Sequence, residues 1–451
     1  MHCITKLNLG QRTFKLQQNV RTKFAESTRE KLKKKKVEHK ENFQQWAEFQ
    51  ERGFKIPEYM QSWFIDQYGA PEKVLKKEAI NLPQHKMVTG IDARKTYLLQ
   101  QVRQPNDVLV KVHAASLNPI DIRMCQGYGE QLFNFQRNFL FKFFDHFPTK
   151  AEFLKDYEFP LVMGRDFSGT VIDVGTGVYD LEPGDEVYGA PALYNQGTLS
   201  DYIAVDLAYV VQKPATCSHI DAASIPYVAL TVVSTLKEAL SIREKCNRAL
   251  VLGGSGGIGT FAIQYLRANG FSVTTTCSSA GQKICSSLGA ECINYHTENV
   301  DEVVSKQDKY GIVFDIIGAA TPAWAKPLLI SGGTYATLQN NLVERTNRYG
   351  VIAGLGASMS QMIADRSRNY GINVKWGIYQ PDRNSLLEIA RYIDSGNIKP
   401  IVDAKNIYPF DDVPKAFKKL GEGHTKGKIV VNVSGQPEAT QKPPVDKIIH
   451  L

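Results

Sequence analysis

A glycine-rich turn between an apolar run and a helical pattern carries the clearest chemical signal in the chain. Residues 253–259 read GGSGGIG; they follow the apolar run 249–252, and the apolar residues of 260–266 recur at helical spacing. Glycines let a backbone turn sharply and approach a pyrophosphate, which then binds the free N–H groups of a helix N-terminus. This context predicts a dinucleotide site whose turn supplies Ser255, Gly256, Gly257 and Ile258.

The segments after the turn separate this interpretation from an ordinary hairpin, which glycines also close. Strands are predicted over 271–276, 292–295 and 311–318, with a helix over 282–288. The second strand arrives about 20 residues after the first glycine, the spacing of a βαβ unit. The alternation favours a Rossmann-type domain.

Length and composition set the frame for the remaining chain. The 451 residues predict two domains with extensions, and 43% hydrophobic with 22% charged residues is typical of a soluble globular protein. No apolar run reaches the ~18 residues of a membrane-spanning helix. The net charge of +8 comes from residues 1–56, not from the body, which argues against a nucleic-acid enzyme. Seven cysteines without a C-x-x-C pair indicate a reducing compartment and argue against a disulfide framework or a four-cysteine zinc lobe.

The N-terminal extension is basic. Residues 1–25 contain no acidic residue and interleave basic with apolar positions, as a mitochondrial presequence does, although serine is missing; a disordered basic tail is the alternative. Residues 29–40, which include the lysine cluster at 33–36, are interpreted as a solvated helix or linker, with a nuclear localisation signal or a contact with anionic lipid as the alternative. Aromatic residues recur over 42–68 and are expected to pack on the body.

Short strands and glycine or proline turns over 107–121, 159–171 and 181–188 predict a small β-rich domain. These segments, together with 197–202, 222–226 and the glycine turn, occur in an order that resembles the quinone oxidoreductase branch of the medium-chain dehydrogenase/reductase superfamily. The resemblance covers about residues 60–434. Four further runs are similar to NADPH-binding mitochondrial members of that branch, which are linked to coenzyme Q biosynthesis: 110–121, 164–166, 225–231 and 422–428.

The resemblance implies an α/β fold in which a Rossmann doubly wound cofactor domain interrupts a GroES-like, β-rich catalytic domain. The expected parts are a targeting extension (1–56), the first catalytic part (57–205), the cofactor domain (206–376), the second catalytic part (377–434) and a disordered tail (435–451).

Two positions indicate whether the chain can bind a catalytic zinc ion. Alcohol dehydrogenases of this superfamily hold catalytic zinc with a cysteine and a histidine of the first domain, and the matching positions here hold Asn118 and Arg165. Catalytic zinc needs three protein ligands and one open position. The resemblance therefore implies no metal and a hydride transfer without a Lewis acid. An α,β-unsaturated carbonyl or a quinone suits such a transfer, because conjugation already accepts the electrons.

The end of the second strand bears on the choice of nucleotide. NAD enzymes place an acidic residue there to hold the ribose 2′-hydroxyl. This chain has TCSS at 276–279, with Ser278 able to bond a phosphate and Lys283 near enough to add charge. The alternative is that the serines only cap the next helix. The missing carboxylate indicates that the cofactor is NADPH. The resemblance adds Tyr295 as a further residue on the side of the cofactor where the 2′-phosphate would lie.

The resemblance also assigns a late loop and a strand end to the cofactor. His424, Thr425 and Lys426 would reach the phosphate end, although an ordinary exposed loop histidine is an equal alternative for His424. Thr337 and Leu338, at the end of a strand, would lie beside the nicotinamide.

Two residues are candidates for catalysis. Tyr128 matches a site tyrosine of related quinone reductases and is a candidate proton donor, with simple turn packing and a solvent proton as the alternative. Asn118 is a candidate to orient the substrate carbonyl or the nicotinamide amide; its alternative role is to close the Asn-Pro turn.

The aromatic-rich segment 129–160 is expected to cover the cleft as a hydrophobic lid, with packing against the aromatic residues of 43–68 as the alternative. The chain is thus expected to be a mitochondrial, matrix-located, NADPH-dependent reductase of a small hydrophobic quinone or enone that supports coenzyme Q biosynthesis. An NADPH-binding scaffold with little turnover is the alternative. No nucleic-acid partner is expected, and a peripheral membrane contact and a homodimer stay open.

Overall fold

The computed structural model describes residues 57, 59–82, 105–144, 158–369, 371–423 and 425–435, without the side chains of 138–144. The described residues of 57–181 and 185–435 belong to one compact unit. The expectations for the N-terminal extension up to residue 56, and for the tail from residue 436, lie outside these residues. None of the described helices combines the length and apolar character that crossing a membrane requires.

The first half of the described chain is a β-rich catalytic domain. Its strands are β1 (Tyr59–Ile65), β2 (Lys76–Asn81), β3 (Asp107–Leu117), β4 (Leu161–Val162), β5 (Asp166–Val174), β6 (Glu186–Gly189), β7 (Tyr202–Asp206) and β8 (Val210–Gln212). Its helices are α1 (Pro71–Val74), α2 (Pro119–Cys125), α3 (Glu130–Phe144) and α4 (His219–Ala223). β3 is central: it pairs antiparallel with both β5 and β7, so both of its edges are used.

A parallel sheet follows as the cofactor domain. Its strands are β9 (Arg248–Leu252), β10 (Ser272–Cys277), β11 (Glu291–Asn294), β12 (Tyr310–Asp315), β13 (Leu329–Thr337) and β14 (Asn373–Trp376). Its helices are α5 (Pro226–Leu236), α6 (Gly257–Ala268), α7 (Ser279–Ser287), α8 (Val300–Ser305), α9 (Pro322–Ala325), α10 (Leu342–Tyr349), α11 (Val351–Arg368) and α12 (Arg383–Asp394). The spatial order β11-β10-β9-β12-β13-β14 is the Rossmann order, with the ligand crevice expected where the order reverses beside β9. The expected α/β fold with a Rossmann cofactor domain is confirmed.

The chain then returns to the first domain. β15 (Val402–Pro409), α13 (Val413–Glu422) and β16 (Lys428–Asn432) complete it, and β16 pairs antiparallel with β3. The catalytic sheet therefore has the order β15-β16-β3-β5-β6-β8, with β7 beside β3. This return is the interruption that the resemblance implies.

Two elements lie close to the expected crossings between the domains, β8 after residue 205 and α12 after residue 376. The expected boundary at 205/206 lies inside the catalytic sheet, because β8 pairs with β6. The boundary at 376/377 precedes α12, whose Leu386, Ile389 and Ile393 belong to the same apolar core as α5 and β9. A strand and a helix near a crossing have the same local pattern whichever domain they join, so only their pairing assigns them.

Candidate active site

The glycine turn forms a cradle at the end of β9. Gly253 has a φ of 93°, which favours glycine, and a β-carbon on Gly254 would lie 2.1 Å from the Thr275 Oγ1 atom. A β-carbon on Gly259 would lie 2.3 Å from the Gly253 carbonyl oxygen. At Gly256, in contrast, a β-carbon would face open space, and this residue begins α6 without a side-chain cap. The first-turn N–H groups of α6 are thus left for a ligand, as an anion site at a helix N-terminus requires.

A cleft of about 770 Å³ opens from this cradle between the two domains. Ser255, Gly256, Gly257 and Ile258 line one side. Leu117, Asn118, Tyr227 and Lys428 line the other. The volume lies within the range of ligand pockets, about 300–1,000 Å³, and the lining is mainly apolar with few polar groups.

A buried charged cluster forms the catalytic-domain wall of the cleft. The Lys428 ammonium donates to the Leu117 carbonyl at 3.1 Å, to the Asn118 amide oxygen, and to the Asp166 carboxylate at 3.2 Å. Burial lowers the pKa of Lys428, and Asp166 opposes that shift. These three acceptors use all three ammonium protons. Lys428 is therefore held in place rather than free to move toward a ligand.

The carboxylate of this cluster is also fully bonded. Asp166 is buried and accepts hydrogen bonds from the Ser116 hydroxyl at 2.6 Å, the Asn118 side-chain amide at 2.7 Å and the Tyr227 backbone N–H at 2.5 Å. The Asn118 amide is thus fixed at both ends, by Lys428 at its oxygen and by Asp166 at its nitrogen. Its remaining N–H and oxygen lone pair are the polar groups that this wall can offer to a substrate.

A second pair of buried charges lies behind the wall. Arg165 is fully buried, donates to the Asn195 carbonyl at 2.8 Å and places its Nε atom 4.0 Å from the Asp121 carboxylate. Asp121 accepts from the backbone N–H groups of Asn118 and Gly164. Burial raises the pKa of Asp121 to about 6, although Arg165 lowers it. Arg165 therefore supports, through Asp121, the loop that carries Asn118. It does not line the cleft.

Of the two tyrosines in this region, the structure places Tyr227 rather than Tyr128 in the cleft wall. The ring of Tyr227 stacks on Tyr379 with centroids 4.4 Å apart, and burial raises the pKa of Tyr227 well above its ordinary value. Tyr128 instead lies under the Arg123 guanidinium, 3.8 Å from the ring centroid, and burial raises its pKa as well. Arg123 also pairs with Glu344 of α10 at 2.6 Å, so Tyr128 sits beside a contact between the domains.

The end of β10 carries the predicted selectivity residues. Ser278 precedes α7, but its side chain makes no cap hydrogen bond, and the Ser279 hydroxyl accepts from the Asn294 amide at 2.7 Å. Tyr295 lines the cleft and is 43% exposed. Lys283 is exposed in the second turn of α7. Ser278 directly follows Cys277, which lines the cleft, but Ser278 itself does not line it.

The structure brings about half of the predicted site residues to the cleft. The residues that line it are Asn118, Ser255, Gly256, Gly257, Ile258, Tyr295 and Thr425. Predicted residues that do not line it are Tyr128, Ser278, Lys283, Thr337, Leu338 and Lys426. Thr337 lines a second cavity of about 320 Å³ on the far side of β12, and Leu338 packs into the apolar core. His424 lies outside the described residues.

Two lining residues were not predicted as site residues. Lys428 and Tyr227 both stand in motifs that carried the resemblance, but no role was assigned to them. A lysine that begins an apolar strand, as in KIVVN at 428–432, is a signal that could have identified Lys428, because a buried lysine needs a partner.

The aromatic-rich segment begins as the helix α3. In α3, Phe133 is buried and Phe135 is 50% exposed. Arg137 pairs with Glu158 at 3.2 Å, and both side chains are almost fully buried. This ion pair connects α3 to Glu158, and residues 145–157 lie outside the described residues. The lid thus stays a prediction.

The fold, the cradle and the interdomain cleft define a medium-chain dehydrogenase/reductase. The family described as alcohol dehydrogenase GroES-like domain matches residues 104–215, and the zinc-binding dehydrogenase family matches residues 288–431. The quinone oxidoreductase of Coxiella burnetii superposes with a TM-score of 0.62 at 25% identity, covering 83% of this chain and 99% of its own.

Proteins of similar sequence indicate which family within this superfamily the chain belongs to. NAD(P)H oxidoreductase RTN4IP1 of Mus musculus, a mitochondrial protein, is 38% identical and covers 83% of this chain and 89% of its own length. The chloroplastic NADPH-dependent alkenal/one oxidoreductase of Arabidopsis thaliana is 29% identical and covers 83% and 80%. The chain belongs to the RTN4IP1 family of NAD(P)H oxidoreductases within this superfamily.

Proposed function

We propose that this enzyme transfers hydride from NADPH to a quinone or an enone without a metal ion. The observation that carries the proposal is the Lys428–Asn118–Asp166 cluster in the cleft wall. By the resemblance, Asn118 stands where zinc-dependent alcohol dehydrogenases place a ligand, and its amide oxygen already accepts a hydrogen bond from an ammonium group. A divalent cation placed there would meet the charge of Lys428 at close range. Within the described part of the chain, no group of three or more His, Cys, Asp or Glu ligands lies at this wall.

The cradle fits the cofactor. Its N–H groups carry no side-chain cap, the glycines leave room for a pyrophosphate, and the Lys428 stem lies 2.8 Å from a β-carbon built on Gly257, which brings a positive charge to the same end of the cleft. NADPH supplies the hydride when it is bound. Ser278, free of a capping role, and the nearby Lys283 are the groups that favour a 2′-phosphate over a 2′-hydroxyl.

The catalytic-domain wall would orient the substrate. The free N–H of the Asn118 amide can donate to a carbonyl oxygen, and its direction is set by Lys428 and Asp166. The mainly apolar lining excludes water and suits a flat, conjugated ring or chain. The names of the two relatives cited, a quinone oxidoreductase and an alkenal/one oxidoreductase, cover the same two substrate classes.

A tyrosine would supply the proton that follows the hydride. Tyr227 lines the cleft, and a neutral tyrosine hydroxyl carries the proton that a substrate oxygen requires as it gains negative charge after hydride transfer. Tyr128 is retained as the alternative donor, although Arg123 covers its ring.

The experiment is a stopped-flow measurement of bound-NADPH oxidation by a panel of quinones and enones, with elemental analysis of the same sample. We expect rapid oxidation by at least one of the two classes, at a rate that is unchanged after a chelator removes any bound zinc. A Y227F variant tests the donor, with Y128F as the matched control: Y227F should lower kcat at least tenfold, and Y128F should not. Slow oxidation by every acceptor would favour the NADPH-binding scaffold instead. A zinc ion lost together with activity on chelation would refute the metal-free mechanism.

The biological setting is also a proposal. Relatives of the family are named mitochondrial, which supports import of this chain by residues 1–25 and a matrix location. The resemblance supports a role in coenzyme Q biosynthesis. The catalytic domain is proposed to end between α4 and α5 and to resume at β15. A homodimer and a peripheral membrane contact are further proposals that size-exclusion chromatography and vesicle flotation test directly.

A further inference from the structure

Three of the seven cysteines meet at one place in the cofactor domain. The Sγ atoms of Cys277, Cys285 and Cys292 all lie within 4.8 Å of one another. Cys277 ends β10, Cys292 lies in β11 and Cys285 lies on α7, which covers both strands. Their spacing in the sequence matches no standard cysteine motif, so only the packing of α7 on the sheet assembles the group.

The register of the sheet explains how two of the thiols meet. β10 and β11 run parallel, with Thr275 opposite Cys292 and Cys277 opposite Asn294. Cys277 and Cys292 are therefore diagonal neighbours on the same face of the sheet. Strand spacing and rise put their Cα atoms about 8 Å apart. Disulfides rarely span more than about 7 Å between Cα atoms, so these two cysteines converge without the geometry of a bridge.

The donor set is chemically uniform. Within the described residues, the group holds three sulfurs and no imidazole or carboxylate. Soft thiolate ligands select Cu(I) and Zn(II), whereas Mg²⁺ and Ca²⁺ prefer oxygen. Metal–sulfur bonds of about 2.3 Å place bound sulfurs about 4 Å apart, so the observed separation needs only a small contraction.

The surroundings allow an ion to enter. Cys277 and Cys285 are fully buried, whereas Cys292 is partly exposed, with its Sγ atom 3.3 Å from the Ser286 hydroxyl. The partial exposure of Cys292 gives access from solvent. We propose that Cys277, Cys285 and Cys292 form a three-thiolate site for a thiophilic d¹⁰ cation, Cu(I) or Zn(II).

Binding must release protons, because each thiol that becomes a ligand transfers one proton to solvent and no electron moves. This site is distinct from the cleft wall at Asn118, and it does not depend on the proposed reduction. It does border the cofactor: Cys277 lines the cleft and precedes Ser278. Occupation should therefore fix the end of β10 and change the affinity for NADPH.

The test titrates the full-length, reduced, metal-free protein with Cu(I) and with Zn(II) under anaerobic conditions, against a competing chelator. We expect one ion per chain in at least one of the two arms. For Cu(I), thiolate-to-metal absorption should accompany binding; for Zn(II), Cd²⁺ serves as the spectroscopic substitute. Affinity should rise from pH 6 to pH 8 as protons are released.

C292S is the decisive variant, because Cys292 is partly exposed and its change should leave the fold intact. We expect it to lower the affinity at least tenfold. C246S is the matched control, since Cys246 is partly exposed and its thiol contacts the Lys309 carbonyl, away from the group. Four results would overturn the proposal: no ion held against the chelator, equal affinity in C292S and wild type, no pH dependence, or a disulfide between two of the three cysteines in protein purified anaerobically.

Discussion

Replacing Lys428 by methionine separates the two roles that its position implies. Methionine keeps much of the apolar stem but removes the ammonium group that donates to Leu117, Asn118 and Asp166. Breaking a buried ion pair by removing one partner costs about 3–5 kcal/mol, because the other charge stays buried. Three hydrogen bonds to Asp166 survive the change, so we expect the lower end of that range.

Catalysis should suffer for a different reason. Without the ammonium group, the oxygen of the Asn118 amide loses a charge-assisted hydrogen bond of about 1.5–3 kcal/mol, and the amide is no longer fixed at that end. We expect kcat with a short-chain quinone to fall at least tenfold, which corresponds to about 1.4 kcal/mol. K418M is the control, because Lys418 is exposed on α13.

The double variant K428M/D166N tests whether the stability lost in K428M comes from the unpaired charge of Asp166. Neutralising Asp166 removes the unpaired buried charge, so the double variant should recover at least half of the stability lost in K428M, measured by urea unfolding. It should not recover kcat. A double variant no more stable than K428M would contradict the role of the Lys428–Asp166 pair, and a K428M enzyme with kcat within twofold of wild type would contradict the positioning of Asn118.

Three further predictions rest on separate features. S278D should lower the affinity for NADPH at least tenfold and leave the affinity for NADH unchanged or higher, because a carboxylate repels a 2′-phosphate. Equal losses of affinity for the two nucleotides, measured by fluorescence titration, would contradict the role of Ser278. Burial, with His113 adding to it, lowers the pKa of His219 to about 4, so its neutral form stabilises the fold above pH 6.5 and this contribution is lost as the pH falls toward 4. Between pH 7 and pH 4, the free energy of unfolding of wild type, measured in urea, should therefore fall by roughly 2–3 kcal/mol more than that of H219Q. Parallel pH profiles of the two proteins would refute the lowered pKa of His219. Deleting residues 1–25 should abolish import into isolated mitochondria. Unchanged import would contradict this role and make the lysine cluster at 33–36 the next candidate for the targeting signal.

The cofactor domain could be predicted from the sequence because its requirements are local. A positive φ at Gly253 and the close approaches at Gly254 and Gly259 demand glycine at fixed spacing, and the strand before them, β9, is buried and continuously apolar from Ala249 to Leu252. The missing carboxylate after β10 is equally a matter of one position. Each of these signals is complete within about 30 residues of chain.

The catalytic wall could not be predicted in the same way, because it is assembled across long distances. Lys428 meets Asn118 and Asp166 from 310 and 262 residues away. The choice between Tyr128 and Tyr227 also depends on packing, since Arg123 covers one ring and leaves the other in the cleft wall. The three-cysteine group was missed for the same reason: sequence spacing does not show how α7 lies on β10 and β11.

The pairing of β16 with β3 has a consequence for how the protein is made. Val430 pairs with Ser116, so the strand that closes the catalytic sheet leaves the ribosome after the whole cofactor domain. Until it docks, Asp166 lacks its ion pair with Lys428, and one edge of β3 is unpaired from Ala114 to Leu117 and open to other chains. The first domain to be synthesised is therefore the last to be completed, and loop closure over some 300 residues makes that step slow. A chaperone that shields the β3 edge during this interval would raise the yield of folded enzyme more than one that assists the cofactor domain.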